Sequence, residues 1–369
     1  MVTSVLLFRP TLGDGGADRV TVTLLQNLDR TRFQPSLALV RATGVLIDEV
    51  PADVELIDLR APRLAAAVPY LARVIRQREP DVIFCTASAG NAVAVAAHLL
   101  ARSRARLVLS ERNSLRRKDL SSLRKAVENR LKRLAYRRAD VVTAVSDGVA
   151  GELVELLGLD PARVQVVYNP VVADNLAARA AEPVDHPWFR DRTAPTLVAV
   201  GRLVAMKDYP TMFAALQAIR RTTPARLAIL GDGPLRGELE ARAKAEGLGD
   251  AVAFLGYDKN PYRYMKAADL LIHSSLAEGL PGALIQSLAC GTPVVCTDCD
   301  HGPREVVRDG VDGFLVPVGA ADQLAARAVR LLGDRAERAR FGAAAAEGAR
   351  RFTIASSMQR YQAALGGGA

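Results

Sequence analysis

The stretch SSLAEGLPGALIQSLACGTPVV, residues 274–295, sets one carboxylate, Glu278, into a run of small and apolar residues. Glycine and proline punctuate the loop that carries it, and Gln286 follows eight positions later. LLIHSS ahead of it reads as a strand, and PGALIQSLAC as a helix with Pro281 near its start and Gly291 at its stop. Glu278 therefore falls at a strand's carboxyl end, beside a helix N-terminus whose free amides suit a phosphate. The plainer alternative is a charge at a helix start. A second set lies in GRLVAMKD, where Arg202 and Lys207 follow the strand TLVAV. Two cations at such a point suit a diphosphate, with surface salt bridges as the alternative.

Weaker signals accompany these. LGDGG, ending in Gly15 and Gly16, follows the first strand and precedes a helix expected from Ala17. Glycines there let backbone amides approach an anion, although a tight turn is the simpler reading. The spacing is neither the dinucleotide fingerprint nor a P-loop. GDGPLRGELE puts Pro234 at the first turn of a further helix. Cys296-x-x-Cys299 is a single pair without partner ligands and reads as two buried thiols rather than zinc. His98 lies in an Ala-rich helix and reads as packing, whereas His301 sits in a loop before GPRE that could reach a cleft.

Short apolar strands alternate with amphipathic helices along the whole chain, the pattern of parallel sheets with helices on both faces. SVLLF, SLALV, VELIDL, DVIFC, RLVLS, DVVTAVS and VQVVY are the strands expected in the first half. TLVAVG, ARLAILG, AVAFLG, LLIHSS and TPVVCT are those of the second. Both halves open on strand, Gly-containing loop and amphipathic helix. The expected fold is α/β, two doubly wound Rossmann-like domains facing across a cleft: residues 1–172, a linker at 173–194 and residues 195–351. A last helix, about 352–366, is expected to pack back on the first domain. In open parallel sheets ligands bind beyond the strands' carboxyl ends, where Arg202, Lys207 and Glu278 fall.

At 369 residues, half of them hydrophobic and with mean hydropathy near zero, the chain fits two globular domains. MVTSVLLFRP reads as a first strand rather than a signal peptide, and no apolar run approaches the ~18 residues of a membrane span. Cys85, Cys290, Cys296 and Cys299 make no disulfide framework in a chain this long, so the cytoplasm is the expected compartment. The net charge is +9, and residues 1–172 hold 25 of the 49 basic but only 18 of the 40 acidic side chains. The excess gathers in RNSLRRKDLSSLRKAVENRLKRLAYRRAD, residues 112–140, with Leu123, Val127, Leu131 and Leu134 at helical spacing. Two readings stand: a solvated helix packed on its own domain, or a surface for anionic lipid headgroups or a phosphorylated substrate. Only Tyr136 interrupts the basic run, so there is no stacking platform and no nucleic-acid partner is expected.

Taken together, GDGGADRV, SERNS, VSDGVAGEL, VYNPV, GRLVAMKDYPTMFAAL, ILGDGPLRGELE, VAFLGY, SSLAEGLPGALIQSLACGTPVVCTD and GPREVVRDGVDGFLVP are spread along most of the chain and resemble the GT-B glycosyltransferases of family 4, a retaining group that uses nucleotide-sugar donors. The resemblance implies a donor on the C-terminal domain and an acceptor on the N-terminal one. It implies that Gly201, Arg202 and Lys207 hold the donor diphosphate, with Gly15 and Gly16 closing on it. Gly256, Tyr257 and Asp258 would lie along the base, Glu278 would bind sugar hydroxyls, and the backbone of Gly279, Leu280 and Pro281 would line the sugar pocket. The family pattern is Glu, seven residues, Glu; here the second position is Gln286, a weaker acceptor for ribose hydroxyls by about 1–1.5 kcal/mol. Arg112, in SERN, stands where relatives often carry His, so it is assigned no catalytic role.

What the resemblance implies is transfer of a hexose or N-acetylhexosamine, from a UDP-sugar by preference, to a glycolipid or growing glycan in cell-surface polysaccharide assembly, with no metal or cofactor. Asp298-Cys-Asp300 mimics a metal-binding Asp-x-Asp, but that motif belongs to a different fold. The basic stretch would put the enzyme at the inner face of the membrane. Two rivals are a nucleotide-sugar 2-epimerase on the same fold and a non-catalytic partner subunit in which Gln286 marks a decayed site.

Overall fold

A computed structural model describes residues 2–13, 15–115 and 122–366, with side chains of the helix Ser122–Tyr136 described from Asn129 on. The chain divides into two compact units, Met1–Pro170 with Ile354–Ala369, and Val171–Thr353. Both are open parallel sheets covered by helices, the Rossmann-like architecture that strand–helix alternation predicts.

The first unit holds β1 (Thr3–Arg9), β2 (Phe33–Leu39), β3 (Glu55–Asp58), β4 (Val82–Cys85), β5 (Arg106–Glu111), β6 (Val141–Ala144) and β7 (Val164–Val166). Their order is β3-β2-β1-β4-β5-β6-β7, so the sheet reverses direction between β1 and β4. Val5, Leu7, Leu37, Phe84 and Val108 pack with Leu24 and Leu25 of the helix Gly16–Asn27. Met358, Tyr361 and Leu365, at the chain's end, join the same core. An apolar stripe at helical spacing thus ties the last helix, Ile354–Ala364, to the first unit.

The second unit holds β8 (Thr196–Val200), β9 (Arg226–Leu230), β10 (Val252–Gly256), β11 (Leu270–His273), β12 (Val294–Thr297) and β13 (Gly313–Val316). Their order is β10-β9-β8-β11-β12-β13, with the reversal between β8 and β11. β13 was not among the expected strands. It is four residues long inside GVDGFLVP, between glycine and proline, and it forms because β12 offers an edge. The helix expected from Pro234 begins two residues later, at Arg236.

The stretch 173–194, expected as a linker, carries the short helices Leu176–Ala180 and Pro187–Arg190 within the second unit. Leu176 and Phe189 are buried, and the Arg179 guanidinium lies 4.7 Å from the centre of the Tyr262 ring. Among the described residues no helix is long and apolar enough to cross a membrane.

Candidate active site

β8 and β11 are neighbours in the second sheet, with Leu271 opposite Val198. Their following loops therefore leave the same edge, on either side of the reversal, where open parallel sheets take ligands. This brings together residues 71 positions apart: Lys207 Nζ donates to Glu278 Oε1 at 2.6 Å. His273 Nε2 lies 3.0 Å from the same oxygen, and Ser275 Oγ 2.8 Å from that nitrogen. The side chains of Lys207, Glu278 and His273 are 22, 13 and 4% exposed.

Charge and burial oppose each other at this cluster. Burial alone pushes the Glu278 carboxyl up, but the Lys207 ammonium and the His273 hydrogen bond outweigh it and hold the group well below the usual carboxylate range. Burial pushes His273 down, and the Lys207 cation adds to this, against a partial opposing pull from Glu278. The carboxylate is ionised and the imidazole neutral at pH 7.

Short polar links sew the two loops together. Ser274 Oγ donates to the carbonyls of Lys207 and Asp208 at 2.8 and 2.9 Å, and Leu276 N donates to Met206 O at 2.9 Å. Gly201 N donates to Leu230 O, and the Gly201 carbonyl lies where a Cβ on Gly231 would stand, 2.0 Å away. With φ at +133°, Gly231 lets β9's loop cross tightly over β8's. Gly302 plays the same part behind the other loop, since a Cβ there would meet Gly279 O at 2.8 Å and Pro281 Cδ at 2.7 Å. The loop Gly279–Leu280–Pro281 is thereby seated, and the helix Gly282–Ala289 starts directly after it with no side-chain cap. Arg202 is exposed and makes no ion pair among the described residues.

Further along the same unit, Gln286 is half-buried and its Nε2 lies 3.4 Å from the Tyr262 hydroxyl, the ring stacked under Arg179. In the loop Gly256–Tyr257–Asp258 the Tyr257 ring is exposed. Asp258 accepts from Asn260 N and Arg263 Nη2, each at 2.7 Å, and these hold its carboxyl low against the pull of burial. What this loop offers a ligand is its ring and backbone, because the carboxylate is already engaged.

Gly15 and Gly16 belong to the first unit. Gly15 caps the helix Gly16–Asn27, where Asp18 N and Arg19 N bond back to its carbonyl, and a Cβ on Gly16 would meet open space. Asp14, between the glycines of that loop, lies outside the described residues. Asp298 is held by Arg304 at 3.0 and 2.7 Å, and among the described residues no three His, Cys, Asp or Glu side chains gather as a metal site. Cys296 and Cys299 are free buried thiols, the latter pushed up to about 12 by burial. His98 Nε2 meets Ala105 O at 3.0 Å, a packing role. Of the basic stretch, residues 116–121 and the Leu123 and Val127 side chains lie outside the described part. Leu131 and Leu134 are 62 and 60% exposed, so this end of the apolar face does not pack on its own domain.

The sequence reading overlooked His273, Ser274 and Ser275. The signal was present: a polar triplet closing an aliphatic strand. It also overlooked Tyr262 and Arg179, which meet only through tertiary packing.

Comparison with known proteins decides the family. The family described as Glycosyltransferase Family 4 matches residues 14–175, and Glycosyl transferases group 1 matches residues 184–348. A Campylobacter jejuni enzyme, N-acetylgalactosamine-N,N'-diacetylbacillosaminyl-diphospho-undecaprenol 4-alpha-N-acetylgalactosaminyltransferase, is 30% identical over 326 residues, covering 85% of each chain. The chain belongs to the family 4 glycosyltransferases. LpsE of Rhizobium meliloti, a lipopolysaccharide core biosynthesis glycosyltransferase, is 31% identical to this glycosyltransferase over 56% of its chain and 58% of LpsE. Anabaena HepE, crystallised with UDP and glucose, superposes with a TM-score of 0.83 at 22% identity, over 99% of this glycosyltransferase and all of HepE. That likeness shows the GT-B fold.

Proposed function

We propose that this glycosyltransferase moves a hexose or N-acetylhexosamine from a UDP-sugar to a glycolipid or growing glycan, with retention at the anomeric carbon, in lipopolysaccharide or polysaccharide assembly. The observation that carries the reading is the meeting of Lys207 and Glu278 at the strand reversal of the second unit, with Arg202 exposed in the loop that follows β8. As the glycosidic bond breaks, the departing diphosphate gains charge, and fixed cations stabilise it best where no solvent must reorganise. Arg202 and Lys207 would supply those cations, Gly201 and the helix start after Pro281 the backbone, and Glu278 would accept from sugar hydroxyls. Gln286 would accept from ribose, and Gly256 to Asp258 would border the base. No step in this scheme calls for a metal.

The relatives' names support the substrate classes. The C. jejuni enzyme is named for a diphospho-undecaprenol acceptor, LpsE for the lipopolysaccharide core, and HepE was crystallised with UDP and glucose. An acceptor of lipid type suits contact with an anionic membrane surface through the basic helix. There Leu131 and Leu134 stand exposed among the exposed Arg130, Arg133, Arg137 and Arg138.

Thermal unfolding against UDP, GDP, ADP and their common sugars, without metal, tests the donor. A ligand at about 100 times its dissociation constant adds about 2.7 kcal/mol, a shift of several degrees. The expected result is a rise with UDP and one of its sugars, followed by a product whose anomeric proton coupling matches the donor's. A flat panel overturns the donor reading and favours the non-catalytic partner subunit.

A further inference from the structure

Two donors converge on one oxygen of Glu278. Lys207 Nζ and His273 Nε2 both meet Oε1, while Oε2 has no partner among the described residues. Lys207 is also the cation that the donor diphosphate would claim. A carboxylate held only by a lysine would lose its orientation whenever that flexible stem turned to a phosphate. His273 has no such second task. It ends β11, its ring is buried in an otherwise aliphatic strand, and a buried polar ring there is costly unless hydrogen-bonded.

We infer that His273 is a positioning residue of the donor site: its Nε2–H pins Oε1 of Glu278, which presents Oε2 to the donor sugar and leaves Lys207 free to turn to the diphosphate. The inference rests on the reading of Glu278 as the sugar-binding carboxylate. An ionised carboxylate only accepts, so the nitrogen facing Glu278 carries the hydrogen, and the neutral ring is the Nε2–H tautomer. Ser275 Oγ, 2.8 Å from that nitrogen, then shares the same hydrogen as an acceptor. Its place is set in turn by Thr297 Oγ1, which donates to the Ser275 carbonyl at 2.7 Å and so links β12 to the support. Ser274 holds the backbone of Lys207 and Asp208 from the other side. The triplet therefore positions both charged members of the pair: His273 the carboxylate and Ser274 the loop of the lysine, with Ser275 steadying the imidazole.

The matched variants His273→Gln and His273→Asn test this. A glutamine amide reaches the place of Nε2, whereas an asparagine amide reaches only that of Nδ1. Both bury a neutral amide at one position, so a general loss of stability falls on both. Calorimetry with UDP, UDP-glucose and UDP-N-acetylglucosamine separates nucleotide from sugar binding. Nitrogen-15 imidazole spectra of the four histidines, with the His273 signal identified by its loss in His273→Gln, report the tautomer. We expect UDP to bind all three proteins within about twofold. The added affinity of the better sugar nucleotide over UDP should fall about tenfold in His273→Asn and return to within about threefold in His273→Gln. The His273 ring should be neutral and Nε2-protonated. Equal behaviour of the two variants, whether both keep or both lose the sugar increment, overturns the positioning role, as does an Nδ1–H ring. If neither sugar adds affinity over UDP in the unaltered chain, or Glu278→Gln leaves the increment untouched, the reading of the donor site itself fails and carries the inference with it.

Discussion

The two units put a cation and a carboxylate at the same topological place and use them differently. At the reversal of the first sheet, Arg9 at the end of β1 meets Asp18 at 2.5 Å; at that of the second, Lys207 meets Glu278 at 2.6 Å. Arg9 Nη1 also donates to Ala17 O, Thr21 Oγ1 and Thr86 O, the last being the residue after β4. Arg112, the residue after β5, donates to Thr86 O, Asn169 Oδ1 and the Tyr361 hydroxyl. Both guanidiniums are buried, and protein groups fill their forks. The second pair uses a lysine, a point charge on a flexible stem, and leaves Glu278 Oε2 and the Arg202 guanidinium without protein partners among the described residues. Topology selects the place in both sheets; the first fills its guanidinium forks with protein groups, and the second keeps hydrogen-bonding capacity to spare.

The sharpest way to break this comparison is to remove each cation. Arg9→Met and Lys207→Met each take the cation from a largely buried carboxylate, and each should cost about 3 kcal/mol in urea unfolding. Only Lys207→Met should also abolish the thermal shift with UDP. A chain that loses the shift equally in Arg9→Met would show that the first reversal is no mere clamp.

Acid separates the sites next. The buried His273 ring refuses a proton that the unfolded chain accepts, so stability is present above the unfolded value near 6.5 and falls as pH drops below it. The slope reaches at most about 1.4 kcal/mol per pH unit for this one group. Glu278, held low, contributes stability above its unfolded value near 4.3, which is lost as pH falls further toward its lowered folded value. Thermal unfolding from pH 8 to 5 should show the first slope diminished in His273→Gln, while His186, also shifted down by burial, keeps its share.

Gln286→Glu is the next smaller effect. A carboxylate in place of the amide should tighten UDP by about tenfold, or about 1–1.5 kcal/mol, by calorimetry. A weaker grip would show that the contact of Gln286 with Tyr262 serves the site better than a charge. Smallest of all, Leu131→Asp with Leu134→Asp should change stability by less than about 0.5 kcal/mol, because both side chains are exposed. The same double variant should lose binding to vesicles containing anionic phosphatidylglycerol, measured by co-sedimentation, whereas neutral vesicles bind neither protein.

Most of the sheet architecture was legible because twelve of the strands are apolar runs bounded by turn residues, and β-strand periodicity is a local property. β13 escaped because its four residues sit between glycines and a proline, and only pairing with β12 makes them a strand. Residues 173–194 lacked periodicity and resembled a linker. Buried Phe189 and Leu176, and Arg179 on Tyr262, attach them to the second unit, contacts no local pattern encodes.

For the site, the sequence by itself determined the residue types and their placement after strands: Arg202 and Lys207 behind β8, Glu278 behind β11, and glycines wherever loops must cross closely. Its motifs, in order along the chain, already resembled the family that comparison with known proteins then showed. Only the tertiary structure decided that β8 and β11 are neighbours, and hence that Lys207 and Glu278 touch and that His273 holds the same oxygen. It also decided that Asp258 is already engaged by Arg263, and that Leu131 and Leu134 lie bare. The physical reason is range. Propensity and turn chemistry act over a few residues, whereas strand order, burial and the partner of each charge depend on residues tens of positions away.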